Sequence, residues 1–151
     1  MNKMMGKADR GGPLEYVPNE LLSRLVGERM YSVEFVVNDY VQLRFDGDPG
    51  AGSPAILNCY SWPAIEYAGR VWNESDLGYA DALRALTPGV VASTSEQTGT
   101  GIRIDLDTGA VVLHPRIDEV YVEVAEIMGF RDGARMVWRP GEDTFEDLVE
   151  P

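Results

Sequence analysis

Polar and apolar residues alternate along two stretches of the chain, and in each case the alternation follows a short helical stripe. Tyr31, Val33, Phe35 and Val37 are the apolar positions of one run, and Val41, Leu43 and Phe45 those of the next. That period of two predicts paired strands with one buried face. Before them, Leu21, Leu22 and Leu25 recur at helical spacing between Asn19, a good N-cap, and Gly27, suited to a left-handed C′ position. The same order of elements returns later: Leu22 to Asp46 matches Leu83 to Asp107 at a constant offset of 61 residues without a gap. Self-similarity of this kind marks a repeated supersecondary unit. In the second copy Ser75 or Asp76 caps a helix carrying Ala80, Leu83 and Leu86, which stops at Thr87-Pro88-Gly89.

The alternation also predicts register. For both apolar sets of the first copy to share a face, Val37 opposes Val41 and Phe35 opposes Leu43 around a three-residue loop, Asn38-Asp39-Tyr40, with Glu34 opposite Arg44 outside. In the second copy a Thr108-Gly109 turn pairs Leu106 with Val111, Ile104 with Leu113, and Arg103 with an outward His114. The corresponding turn of the first copy is expanded to Gly47–Pro54, a mobile insertion by this reading, before a third strand from Ala55 to Trp62. After Pro115 the echo ends. Val120, Val122 and Val124 alternate, and Ile127–Phe130 and Arg135–Trp138 flank Arg131-Asp132-Gly133-Ala134, a hairpin signal.

These elements predict an α+β fold, mainly antiparallel β, made of two tandem helix-plus-β-meander repeats (about 20–62 and 76–115) closed by a C-terminal β-hairpin. The expected organisation is a flexible segment over 1–18, one domain over 19–140, and a loosely ordered acidic tail over 141–151 unless Phe145 and Leu148 dock. With 151 residues, 44% of them hydrophobic, one domain with a real core is expected. No stretch has the apolar length of a signal peptide or a membrane span, so a soluble, cytoplasmic protein is expected, in keeping with a single cysteine, Cys59.

Charge narrows the partners. The formal net charge is −12, both lysines (Lys3 and Lys7) fall at the start of the chain, and the arginines are scattered among carboxylates. Nucleic acid, which needs clustered cations, is disfavoured, and a basic protein partner is favoured. The expected binding face combines Asp118, Glu119, Glu123 and Glu126 with Glu142, Asp143, Phe145, Glu146 and Asp147 of the tail.

Catalytic constellations are sparse. Any Ser-His-Asp, Cys-His or zinc site would depend on His114, the single histidine, and no CxxC or HxxxH spacing occurs. Aligning Ala55 with Ala110 puts Cys59 and His114 at equivalent positions of the two copies, where a reactive pair competes with a plain core thiol and a surface imidazole. Thr98-Gly99-Thr100-Gly101 lies between strands, with no helix or lysine after it, and reads as a loop rather than a phosphate cradle. Asp46-Gly47-Asp48 lacks the bidentate glutamate of a calcium loop. The aromatics Tyr60, Trp62, Tyr67 and Trp72 join the two copies, either as plugs of the seam or as walls of a site.

In size, acidity and lack of catalytic residues, the chain resembles the immunity proteins that neutralise polymorphic toxins, and equally many uncharacterised bacterial domains. The resemblance implies a non-enzymatic module, without cofactor or metal, whose acidic surface engages a basic protein. A second reading is a small-ligand protein or enzyme with a pocket between the repeats, formed by Tyr60, Trp62 and Trp72 with Cys59 or His114 as the reactive group. A third is the subunit of a homodimer.

Overall fold

The computed structural model describes residues 15–36, 39–47 and 52–149. Ten antiparallel strands form one sheet: β1 (Arg29–Phe35), β2 (Val41–Phe45), β3 (Ala55–Cys59), β4 (Ala64–Tyr67), β5 (Arg70–Trp72), β6 (Gly89–Gln97), β7 (Gly101–Leu106), β8 (Gly109–Leu113), β9 (Ala125–Met128) and β10 (Met136–Trp138). Their order across the sheet is β10-β9-β3-β2-β1-β6-β7-β8-β4-β5. Two short helices, α1 (Glu20–Ser23) and α2 (Tyr79–Ala85), complete a mainly-β α+β fold.

Alternation places the core as a half-buried strand must. Val41, Leu43 and Phe45 of β2 are fully buried, as are Ile104 of β7 and Ile127 of β9, and they join Leu22, Leu25, Leu83 and Leu86 from the helical segments in one apolar cluster. The buried stripe of α2 is Tyr79, Ala82 and Leu83, while Ala80 faces solvent. The helix starts later than the sequence predicts, because Asp76 turns back to accept the Asn73 N–H (2.8 Å) and Gly78, at φ +98°, takes the cap position. A Cβ on Gly78 would lie 2.9 Å from the Trp72 ring, so close packing and backbone both require glycine there. At α1, Asn19 precedes the helix but its side chain bonds Thr94 across the fold rather than capping. Gly27 does take the left-handed position, at φ +87°.

Both predicted hairpin registers are displaced by two residues. Phe35 pairs with Val41 and Val33 with Leu43, and Ile104 pairs with Val111 and Ile102 with Leu113. A shift of two leaves every side chain on its predicted face. What sets the register is hydrogen bonding at the turns. Val36 N–H reaches the Tyr40 carbonyl (2.8 Å), widening the first loop, in which Val37 and Asn38 lie outside the described residues. In the second hairpin, Asp107-Thr108 forms the turn instead of Thr108-Gly109, with the Asp107 carboxylate accepting the Val90 N–H (2.9 Å). Glu34 and Arg44, now diagonal, still approach to 3.5 Å. A bulge between Met30 and Ser32 turns Tyr31 out to solvent, correcting its predicted inward place.

Other expectations change more. The aromatic segment expected to be a connector is itself sheet: β4 and β5 form a hairpin, and β4 pairs with β8. Val122 lies on no strand and is 71% exposed, whereas β9 and β10 form the expected hairpin and β9 pairs with β3. Residues 48–51 of the Gly47–Pro54 insertion and residues 1–14 and 150–151 lie outside the described residues.

The C-terminal segment is docked. Phe145, at the end of a short 3-10 turn, Asp143–Phe145, is completely buried, and Leu148 just after it is nearly so. Beside it lies a buried carboxylate, Glu96 at the end of β6, which is 8% exposed. Its oxygens accept the Tyr16 hydroxyl, the Thr144 hydroxyl (2.7 Å), the Trp138 indole N–H (2.7 Å) and the Asn19 backbone N–H (2.7 Å). Burial pushes the Tyr16 phenol well above its ordinary range, and the adjacent Glu96 adds to the effect. β10 is the far edge of the sheet, with β9, β3, β2 and β1 between it and β6. The Trp138–Glu96 bond therefore means that the sheet curls round its core.

A candidate binding cleft of aromatic and acidic residues

The chain crosses from β3 to β4 through Tyr60-Ser61-Trp62-Pro63, and this crossing forms one wall of a cleft of about 610 Å³. Its backbone is held by Val124, whose carbonyl accepts the N–H groups of Tyr60 (3.0 Å) and Ser61 (3.2 Å). Trp62 stacks on Tyr79 of α2, with ring centroids 5.9 Å apart, and tilts against Phe35 of β1 at 5.8 Å. It thereby packs between the first strand and the second helix while keeping an edge on the cleft. Tyr60 packs edge-on to Tyr40 and donates its hydroxyl to Glu126 (3.0 Å). Burial, helped by that carboxylate, pushes the Tyr60 phenol up to about 12.

The remaining walls come from separate loops. Asp39 enters from the β1–β2 loop, Asn73 and Glu74 from the segment after β5, His114 from the end of β8, and Glu119 and Tyr121 from the stretch before β9. Among the described residues lining the cleft, none is a lysine or arginine. Asp39 and Glu74 have no hydrogen-bond or ion-pair partner for their carboxylates among the described residues, and Glu119 accepts only the Arg116 backbone N–H (2.7 Å). Carboxylates with no lysine or arginine among the lining residues form an environment that favours a cation and disfavours an anion.

Of the predicted pocket residues, Tyr60, Trp62 and His114 come together here. Cys59 does not. It is fully buried in the core and burial pushes its thiol up to about 12, so it cannot serve as an accessible nucleophile. Trp72 also lies elsewhere: it sits on β5, away from the cleft lining, with the Arg70 guanidinium 3.7 Å over its ring. The imidazole of His114 contacts the C-terminal segment, with Nε2 2.9 Å from Asp147 and the ring stacked on Phe145. No group of three or more His, Cys, Asp or Glu among the described residues could hold a metal ion, and no helix is long and apolar enough to cross a membrane.

The predicted acidic face is largely neutralised within the protein. Asp118 pairs with Arg116 (3.0 Å), Glu123 with Arg139 (3.4 Å) and Glu126 with Arg135 (2.7 Å), while Asp147 lies within hydrogen-bond distance of His114 Nε2 (2.9 Å). Glu146 meets the Thr98 hydroxyl at 3.5 Å, and Glu142 and Asp143 sit in the docked C-terminal turn. Phe145 is buried and offers no surface to a partner. Sequence reasoning missed Asp39, Glu74 and Tyr121, which lie far apart along the chain in loops without periodicity. The one signal in the sequence is at Asp39, which has no lysine or arginine within four residues on either side.

No protein-family model, curated protein or solved structure matches the chain.

Proposed function

We propose that the protein is a non-enzymatic binding module that engages a basic protein partner, as immunity proteins engage their toxins, and that the partner's cation enters the cleft between Tyr60, Trp62 and Tyr121. The observation that carries this reading is the pair of unpartnered carboxylates, Asp39 and Glu74, in a cleft with aromatic walls and no lysine or arginine among its lining residues. The net charge of −12 adds long-range attraction, which raises the encounter rate with a positive surface. Arginines elsewhere already neutralise acidic side chains, so the cleft is where a cation from outside gains most.

A lysine-rich peptide with blocked ends is a suitable probe, measured by calorimetry against an uncharged glutamine-rich peptide of equal length. Binding should weaken steeply as salt rises, since exposed charges are screened over roughly 8–10 Å near physiological ionic strength. The double variant Asp39→Asn/Glu74→Gln should lose about tenfold in affinity, corresponding to about 1.4 kcal/mol. Binding indifferent to both salt and the double variant would overturn the proposal.

We also propose that the fold is a doubled unit. In support, Arg29 N–H bonds Asp46 (3.2 Å) and Val90 N–H bonds Asp107 (2.9 Å), two contacts separated by the same offset of 61 residues as the sequence echo. Arg29 and Val90 are themselves paired across the β1–β6 junction, about which β3-β2-β1 and β6-β7-β8 run in mirrored order. Under this reading Asp46→Ala and Asp107→Ala should destabilise by similar amounts, each about 1 kcal/mol. A large effect at one site and none at the other would count against it.

A further inference from the structure

Three large apolar side chains stand out in solvent: Tyr121 is 99% exposed, Leu77 98% and Val122 71%, more than any other large hydrophobic among the described residues. All three adjoin the cleft in sequence or line it. Tyr121 is part of its wall and Val122 follows, while Leu77 lies in the turn closed by the Tyr79 N–H and the Asp76 carbonyl, directly after the turn that carries Asn73 and Glu74. Exposed apolar groups scattered singly need no explanation, but these three stand on the two segments that supply Glu74 and Tyr121 to one polar cavity.

We infer, resting on the binding role proposed above, that the cleft receives an arginine side chain on an extended segment of the partner, and that apolar residues flanking this arginine settle on Leu77 and on Tyr121-Val122. The charge argument selects a cation. The aromatic walls select the guanidinium, a planar and weakly hydrated group that stacks on rings while its N–H fork reaches carboxylates. The protein makes the same pairing internally: Arg70 lies over Trp72, and Arg24 lies 5.1 Å over Phe130 while its NH1 bonds Asp132 (3.0 Å). In the cleft, the carboxylate half of that arrangement is present in Asp39 and Glu74 and the ring half in the exposed Tyr121. The apolar rim adds what a free cation would not use, and so points to a peptide chain.

The full chain, labelled with nitrogen-15, is titrated with acetyl-Leu-Arg-Leu-amide, with its lysine and glutamine counterparts, and with methylguanidinium. The expected result is movement of the Trp62 indole signal and the Tyr121 amide with the arginine peptide, weaker binding of the lysine peptide and of methylguanidinium, and none of the glutamine peptide. Leu77→Ser and Val122→Ser, both at exposed sites, should each weaken the arginine peptide by at least about threefold. Equal binding of lysine and arginine peptides, signals moving outside the cleft, or indifference to both serine variants would each overturn the inference. If the lysine-rich probe still binds in a manner dependent on Asp39 and Glu74, only this inference fails; if that probe too is indifferent, the binding role fails with it.

Discussion

Replacing Glu96 by leucine tests how the two ends of the described chain are held. The substitution keeps the approximate volume and removes every acceptor at a site only 8% exposed. Four donors then lose their partner: the Tyr16 hydroxyl, the Thr144 hydroxyl, the Trp138 indole and the Asn19 backbone N–H. The two hydroxyls lie 3.0 Å apart and can bond each other, one donating and one accepting, which leaves one hydroxyl proton, the indole and the backbone N–H as orphans. A buried donor without a partner costs about 1–3 kcal/mol, so Glu96→Leu should destabilise by about 3–4 kcal/mol. That is a large part of the roughly 5–15 kcal/mol by which a domain is ordinarily stable. Glu96→Gln, which keeps one acceptor oxygen, should cost about half as much. Urea unfolding followed by tryptophan fluorescence measures both, and hydrogen exchange should show residues 16–19 and 143–148 opening together in the leucine variant. A loss under about 1 kcal/mol, or faster exchange at one end alone, would refute the view that Glu96 joins the two segments.

Phe145→Ala should cost about 3–5 kcal/mol by thermal or urea unfolding, as for other fully buried aromatics, whereas a loosely ordered tail would lose nothing measurable. The Cys59 thiol, buried and with its pKa pushed up to about 12, should resist an aromatic disulfide reagent at pH 8 and react fully in urea. Rapid labelling of the native protein would contradict its placement in the core. The Arg24 guanidinium holds the Asp132 carboxyl below its usual value, and the Arg103 guanidinium does the same for Glu66. Both groups therefore add stability above their unfolded values, near pH 4, and lose it as pH falls through the lowered folded values. Asp132→Asn should flatten this acid limb of the stability curve, by a small amount because the pair is partly exposed and screened; an unchanged limb would argue against the Arg24 contact in solution.

The strand faces of β2, β7 and β8 were legible because burying one side of a pleated strand leaves a period of two in the residues themselves. Register was not, since a slip of two residues in the β1–β2 and β7–β8 hairpins preserves that period, and the choice rests on the Val36–Tyr40 and Asp107–Val90 hydrogen bonds. β4 and β5 were not legible because Tyr67 and Trp72 suggested a plug, while β8, the strand that pairs with β4, lies more than forty residues away. Glu96 was hidden by its own chemistry. It shares the inward face with Thr94, each paired across β7 with a buried isoleucine, yet a glutamate in an alternating run reads as solvent-facing unless its donors are known.

The binding cleft follows the same division. Composition and pattern determined that the chain is acidic and folds as an antiparallel sheet with one buried face, because charge is additive and alternation is local. Which carboxylates remain without a cation was settled only in three dimensions. Arg116, Arg135 and Arg139 meet the acids of the predicted face, and the curl of the sheet brings Asp39, Glu74 and Tyr121 from three separate loops to the walls around Trp62. Ion pairing depends on distances of a few ångströms between residues far apart along the chain, and those distances exist only once the strands have paired.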